Sequence, residues 1–334
     1  MKTVKPSNKS SEIKVTESLR QEGASQANRI LRWILPFLVS AILLVWLLSS
    51  MNVSAVLEHF TPDVASLFIP TLLVFLIISL SIEAISLVWV VSQYHSFSSR
   101  FMAARMKAAS YLLGLINYAL GAGAVALLLH RRSGIPLPQA AGSVIVISLF
   151  DLGSLLLLSL FALGMREAEE SVLNSSFIIL ATLLIFAGFG LLRASFSLGP
   201  LDRLRDLKIF EAARTLPIPL LIRLGVLRVI FVASFILFTA GTLYAFGVSI
   251  PIWPMTMGVC VLLMISAIPM AAAGLGTGQI AFIAIFEKYA EPEILLAASL
   301  TMSFGLILSR AALGLIFARE FTSEAFEARA EIAK

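Results

Sequence analysis

The chain has 334 residues, of which 59% are hydrophobic and 13% are charged, and its mean hydropathy of +0.95 excludes an ordinary soluble domain. The single cysteine, Cys260, excludes an internal disulfide and a cysteine-based metal site. The net charge of +5 is informative through the positions of the lysines and arginines, because these residues collect in the cytoplasmic loops of membrane proteins.

The first predicted element is a polar N-terminal tail. Residues 1–29 are rich in serine and lysine and lack an apolar core, so we expect a disordered cytosolic tail, and a short charged tail is expected at 321–334. Residues 30–320 form one integral membrane domain. Its continuous apolar runs are long enough to cross a hydrocarbon layer of about 30 Å as helices, and they lie at 30–50, 64–91, 139–164, 173–192, 219–246 and 294–318.

The basic residues orient these spans with both termini in the cytoplasm. If residues 108–129 crossed the membrane, Arg131, Arg132 and the basic segment 193–214 would lie outside, against the positive-inside rule. The rule holds if residues 108–129 enter from the cytoplasm, turn within YALGAGA (118–124) and return. The stretch from 124 to 129 would extend only about 9 Å as a helix. The sequence therefore predicts a re-entrant hairpin with a glycine break at 121–123.

A second re-entrant hairpin, at residues 253–286, is predicted to enter from the opposite face. The sequence IPMAAAGLGTGQIAF (268–282) places a proline and three glycines in an apolar stretch, and in lipid each unpaired backbone group costs several kcal/mol. The following stretch, Thr277 to Phe286, would extend about 15 Å as a helix and is too short to cross. Close helix packing is the alternative explanation for such glycines.

Together these elements predict an all-α polytopic membrane protein with six spanning helices and two re-entrant broken-helix hairpins, eight hydrophobic segments in all. With this topology, 20 of the 25 lysines and arginines are cytoplasmic. Each hairpin is followed by a spanning helix with a buried ionisable residue, Asp151 or Arg310. Because the hairpins enter from opposite faces, the pattern indicates an inverted repeat, which is typical of transporters.

The motifs of both hairpins resemble those of a known family. Segment 269–282, followed by a helix with Arg310, and segment 117–152, which contains an asparagine, a turn glycine, SGIP and a final aspartate, resemble the transmembrane-region family named after lysylphosphatidylglycerol synthase. The resemblance implies flippase-like movement of phospholipids or lipid-linked intermediates across the inner (plasma) membrane. We do not expect the soluble aminoacyl-transfer domain to which some members of this family are fused, nor lipid aminoacylation. Gly278 and Gln279 replace the Arg-Glu common in relatives, and Ser148 replaces an arginine.

The expected ligand site combines the N-terminus of a short helix with two arginines. The amides of Gly276, Thr277 and Gly278 would offer partial positive charge to a phosphate. The residues expected to bind a lipid head group are Gly276, Thr277, Gly278, Gln279, Arg228, Arg310, Asn117 and Gly123. Glu83 and Asp151 lie at similar depth and are expected to form an intramembrane charge network. Neutralisation of these acids is the alternative role for the arginines.

Two functions of different classes remain open. The first is a translocator without nucleotide hydrolysis, because GLGTGQ lacks the Lys-Ser/Thr ending of a phosphate-binding loop. The second is a non-transporting membrane partner that binds lipid or stabilises an enzyme of envelope-lipid or glycan synthesis. Enzymatic activity is not expected, since no catalytic constellation is visible, and no cofactor, metal or nucleic acid partner is expected. Residues 201–215 alternate apolar and charged positions at helical spacing and should lie on the cytoplasmic membrane surface.

Overall fold

The computed structural model describes residues 58–59, 61–95, 99–116, 118–165, 175–193, 202–267 and 276–332. Within these ranges all regular secondary structure is helical. In chain order the helices longer than one or two turns are α1 Pro62–Val91, α2 Arg100–Ile116, α3 Tyr118–Ser133, α4 Leu137–Gly164, α5 Ser175–Arg193, α6 Ile218–Ala245, α7 Ile252–Ala267, α8 Thr277–Phe286 and α9 Pro292–Ile332.

Four of these helices are long and apolar enough to cross a membrane: α1, α4, α6 and the Pro292–Phe317 part of α9. They coincide with four of the six predicted spans, which confirms an all-helical, membrane-embedded protein. The predicted span at 173–192 is α5, whose apolar part, Ile178–Arg193, is shorter. The predicted tail at 1–29 and the predicted span at 30–50 lie outside the described residues. Helix α9 continues to Ile332, so most of the predicted tail at 321–334 is helical.

Prolines in the first turn mark the starts of the long helices. A proline at this position is tolerated because the first amides of a helix have no intrahelical acceptor. At α1 the cap is completed by the Thr61 hydroxyl, which accepts a hydrogen bond from the Val64 amide at 3.3 Å. These prolines, which could be read from the sequence, are Pro62, Pro138, Pro219 and Pro292.

Helices α1 and α6 pack as an antiparallel pair at the centre of the bundle. Phe75 stacks on Phe238 with ring centroids 4.9 Å apart, and it meets Phe235 edge-on at 5.4 Å. Each such aromatic pair contributes about 0.5–1.5 kcal/mol beyond its buried area. Nearer the start of α1 the two backbones approach closely, because a Cβ at Gly241 would lie 2.8 Å from the Thr71 side chain. Small residues permit this approach in membrane bundles.

Helices α2 and α3 form an antiparallel hairpin. Helix α3 begins at Tyr118 and runs through Gly121 and Gly123, so the predicted glycine break at 121–123 and the short leg after it are wrong. The helix has 16 residues and extends about 24 Å. A glycine inside a helix costs only about 1 kcal/mol relative to alanine. Gly121 instead closes the hairpin, since a Cβ there would lie 2.8 Å from the Gly114 Cα.

The second predicted hairpin is represented by α7 and α8, and residues 268–275 between them lie outside the described ranges. Helix α8 covers Thr277–Phe286, 10 residues, which confirms the predicted short helix to the residue. Gly276 precedes it with φ of +86°, a conformation that side chains strongly disfavour. Helices α7 and α8 pack closely at Gly258, where a Cβ would lie 2.6 Å from the Phe286 ring.

The segment 202–215 packs on α4 and does not form the expected amphipathic surface helix. A Cβ at Gly142 of α4 would collide with the Ile209 carbonyl oxygen, so the segment's backbone lies directly on the helix. Arg193 holds the end of the segment by donating to the carbonyl oxygens of Ala213 and Leu216 at 3.0 and 2.9 Å. The segment consists of three short turns, Asp202–Arg205, Lys208–Phe210 and Glu211–Thr215.

Candidate functional site

Charged side chains from five helices meet inside the bundle. Glu83 of α1 interacts electrostatically with Lys107 of α2, Arg228 of α6 and Arg310 of α9. Asp151 of α4 interacts with Arg228, Lys107 and Glu83. The structure therefore brings together the four charged residues that the sequence singled out, and it adds Lys107. We call these five residues the charge cluster.

The most buried member of the cluster is Arg228, which is 2% exposed. Its Nη1 donates to the Asp151 Oδ1 at 3.0 Å, and this ion pair joins α6 to α4. The guanidinium carbon also lies 5.6 Å from the centre of the Phe231 ring. The Nε of Arg228 is buried and has no hydrogen-bond partner within the described ranges. A buried donor left in this way is unfavourable, so an anionic or carbonyl acceptor at this nitrogen would stabilise the site.

Glu83 uses both of its carboxylate oxygens to hold α2. Its Oε1 lies 3.1 Å from the Lys107 Nζ, and its Oε2 accepts a hydrogen bond from the Tyr111 hydroxyl at 2.6 Å. Neither Lys107 nor Tyr111 is among the site residues predicted from the sequence. The signal that could have identified them is their spacing of four residues, which puts both side chains on one face of α2.

Arg310 is the member of the cluster without an acidic partner. No carboxylate of the described part of the chain lies within 4.0 Å of it, because the two acids are paired with Lys107 and Arg228. Its guanidinium instead lies over the Tyr111 ring, 5.6 Å from the centroid, a contact that contributes about 0.5–2 kcal/mol. Arg310 therefore forms no direct ion pair with Asp151 or Glu83, but its charge interacts with Glu83 at longer range, so its role as a counter-ion stays a prediction.

The N-terminus of α8 is capped by the side chain of Gln279, a residue of its first turn. The Gly276 amide donates to the Gln279 Oε1 at 2.6 Å, and the Gln279 Nε2 donates to the Ser303 Oγ of α9 at 2.9 Å. Two of the residues predicted to bind a head group, Gly276 and Gln279, therefore bind each other and α9. Thr277 and Gly278 are half-buried, and amides in a first helical turn have no intrahelical acceptor.

The capped N-terminus and the charge cluster lie along the same helix. Ser303, which holds Gln279, and Arg310 are both in α9, seven residues apart. Seven residues are nearly two full turns, so the two side chains lie on the same face about 10 Å apart along the axis. Arg310 is therefore the residue of the predicted site that connects the second hairpin with the charge cluster.

The start of α3 contacts α4 close to Asp151. The hydroxyls of Tyr118 and Ser148 are 3.2 Å apart, and Ser148 precedes Asp151 by less than one turn of α4. Asn117, predicted as a ligand residue, lies outside the described residues. Gly123 is exposed and faces open space, so the structure does not bring it to the cluster.

A separate apolar cavity of about 330 Å³ lies between α1 and α6. Its two lining hydroxyls, of Thr71 and Ser234, donate to carbonyl oxygens of their own helices. Val74 in the lining and Glu83 are nine residues apart in α1, which is two and a half helical turns, so their side chains point to opposite faces of the helix. The cavity therefore lies on the opposite side of α1 from the cluster. Its lining residues are Pro70, Thr71, Val74, Phe75, Ile78, Ser234, Leu237 and Phe238.

No protein-family profile matches the chain, and no curated protein or solved structure is significantly similar to it. The resemblance to the lysylphosphatidylglycerol synthase transmembrane-region family therefore stays a prediction. In the described ranges no group of three or more histidine, cysteine, aspartate or glutamate side chains is placed to hold a metal ion. The charge cluster is the arrangement from which a function can be inferred.

Proposed function

We propose that this protein moves phospholipids or lipid-linked intermediates between membrane leaflets without nucleotide hydrolysis. The observation that carries the proposal is a surplus of positive charge in the described part of the bundle, where three cations face two carboxylates. Charged side chains within spanning segments are expensive and mark binding sites or ion pathways. If the cations served only to neutralise the two carboxylates, two of them would be enough, and Arg310 is a third. An anionic head group would complete the balance.

The proposed movement places the head group at Arg310 while the acyl chains stay in the bilayer. Arg310 is half-buried and carries no carboxylate partner among the described residues, so it can bind an anion without breaking an ion pair. Passage further into the cluster would bring the anion into competition with Glu83 for Lys107 and with Asp151 for Arg228. The cations would thus exchange one acidic partner for another, which avoids exposing an isolated charge to lipid.

The proposed topology has six spanning helices and two re-entrant hairpins, α2–α3 and α7–α8, that enter from opposite faces as an inverted repeat. Helices α3 and α8 have 16 and 10 residues, fewer than the roughly 20 that a spanning helix needs. Both termini would lie in the cytoplasm of the inner membrane. In a Cys260→Ala background, Arg132→Cys should be labelled only from the cytoplasm and Lys288→Cys only from outside. Labelling of Lys288→Cys from the cytoplasm would refute the second hairpin.

Translocation is tested with purified protein in vesicles that contain labelled lipids of several head groups. The wild type should accelerate loss of the label from the inner leaflet, and Arg310→Ala should slow this at least about tenfold, as expected for a lost charge-assisted hydrogen bond. Arg223→Ala is the matched control, because Arg223 is an exposed arginine of α6. If the folded wild type accelerates no lipid in the set, the proposal fails.

A non-transporting membrane partner is the second candidate function. It is favoured by the Arg228–Asp151 and Lys107–Glu83 pairs, which would serve as structural links between helices in a protein that moves nothing. A stoichiometric lipid- or glycan-synthesis enzyme that co-purifies with the chain, together with no lipid movement by the isolated chain, would establish this alternative.

A further inference from the structure

We infer that the charge cluster selects a phosphodiester head group, with one negative charge on its phosphate, over a phosphomonoester or a diphosphate. This inference deepens the proposed function, because it names the chemical class of the lipid at the same site. It concerns binding and does not require that the lipid is moved.

The charge balance of the cluster sets this preference. Among the described residues, the electrostatic neighbours of Glu83 and Asp151 are Lys107, Arg228 and Arg310, besides the two acids themselves. The Tyr111 hydroxyl is neutral as the donor to Glu83. Three cations and two carboxylates leave one positive charge. A phosphate with one charge neutralises the cluster, whereas one with two charges leaves an uncompensated negative charge in a largely buried site, which is unfavourable.

Two donor groups of the cluster have no acceptor among the described residues. Arg310 has no carboxylate within 4.0 Å in the described ranges, and the Arg228 Nε is buried without a partner in the same ranges. A phosphodiester has two non-bridging oxygens that share one charge, and these can accept from two donors. Arginine is suited to such planar contacts with phosphate oxygens.

The test compares binding of phosphatidylglycerol and phosphatidic acid with identical acyl chains to the full chain in detergent, measured by native mass spectrometry. At about pH 8.5 a phosphomonoester carries close to two charges. We expect the wild type to bind phosphatidylglycerol at least about tenfold more tightly, a difference of about one decade in the dissociation constant. Equal binding, or tighter binding of phosphatidic acid, would overturn the inference.

Two charge variants make the test independent of any single contact. Glu83→Gln and Asp151→Asn each raise the surplus to two positive charges, and each should shift the binding ratio toward phosphatidic acid by about tenfold or more. Glu291→Gln is the control, because Glu291 is exposed and directly precedes α9. It should leave the binding ratio unchanged. If both cluster variants fold, as shown by unchanged helicity, and retain the wild-type ratio, charge balance does not select the lipid.

The same experiment separates a lipid from a water-soluble ligand and separates this inference from the proposed function. Glycerophosphoglycerol has the same phosphodiester without acyl chains and should not compete at the lipid's concentration; competition would overturn a lipid as the ligand. A charge-dependent binding ratio with no movement in vesicles would refute translocation and leave the inference standing. Movement of lipids with no charge preference would refute the inference and leave translocation standing.

Discussion

Replacing Arg228 by methionine removes the guanidinium that lies 3.0 Å from the Asp151 carboxylate and retains a side chain of similar length. At this distance, and with an effective dielectric constant of about 20, the attraction is roughly 5 kcal/mol before desolvation. Breaking a buried pair from one side costs about 3–5 kcal/mol. The Asp151 side chain keeps 25% of its surface exposed, so water reduces this cost. We therefore expect Arg228→Met to lower the free energy of unfolding by about 2–3 kcal/mol, below the usual range for a fully buried pair.

The opposite change, Asp151→Leu, should cost more. The Arg228 side chain is only 2% exposed, and this change leaves it without a counter-charge. We therefore expect the free energy of unfolding to fall by an amount in the upper part of the range of about 3–5 kcal/mol. The double variant replaces the pair by two apolar side chains and should recover most of the loss. The measurement is reversible unfolding in mixed micelles for the wild type, both single variants and the double variant. If the losses of the two single variants add up to the loss of the double variant within about 0.5 kcal/mol, Arg228 and Asp151 do not form a direct pair.

Arg310→Ala is the internal contrast for this series. Arg310 contacts the Tyr111 ring and leaves no carboxylate unpaired when it is removed, so its loss should cost only about 1 kcal/mol. A loss as large as that of Arg228→Met, rescued by neutralising Glu83 or Asp151, would show that Arg310 is a structural counter-ion. It would then be removed from the proposed ligand site.

Three substitutions test the close contacts of the glycines and the helix cap. Gly121→Leu adds a side chain where a Cβ alone would lie 2.8 Å from the α2 backbone, so it should lower the free energy of unfolding by about 1–3 kcal/mol. Gly123 faces open space, so Gly123→Leu should have little effect. Equal losses of stability in the two variants would contradict the hairpin packing. Gly142→Val should displace the segment 202–215 and speed its cleavage by trypsin, and a wild-type cleavage pattern would show that the segment is held elsewhere. Gln279→Leu removes the cap acceptor of α8 and should lower thermal stability by about 1–3 kcal/mol, a prediction that an unchanged unfolding temperature would rule out.

The elements that the sequence predicted well depend on local composition. A continuous apolar run of sufficient length defines a spanning helix without knowledge of its neighbours, which is why α1, α4 and α6 match their predicted ranges. The start of α8 is also local, since Gly276 adopts a φ of +86° that few other residues tolerate. Its end precedes the charged residues Glu287 and Lys288. Both boundaries could therefore be read from the sequence.

The pairing of the charges could not be predicted, because it depends on how distant helices pack. Four members of the cluster were identified from the cost of burying charge in a membrane, but Asp151 and Arg228 are separated by 77 positions. Nothing local indicates that Arg228, and not Arg310, contacts Asp151. Lys107 was not identified, because lysines near helix ends usually mark the cytoplasmic side of a membrane protein. Its contact with Glu83 becomes visible only when α2 lies against α1.

The glycine runs of the two hairpins look alike in sequence and act differently in the structure. Gly121 is helical and brings α2 and α3 together, whereas Gly276 lies at the cap of α8 with a positive φ. A similar run of small residues therefore does not establish a repeat, because glycine permits both close packing and a backbone break. Of these two glycines, Gly276 is the one at a helix N-terminus, and its amide already donates to the Gln279 side chain. The attraction for an anion must then come mainly from the arginines and Lys107, so substitutions in the cluster should affect lipid binding more than substitutions at either glycine run.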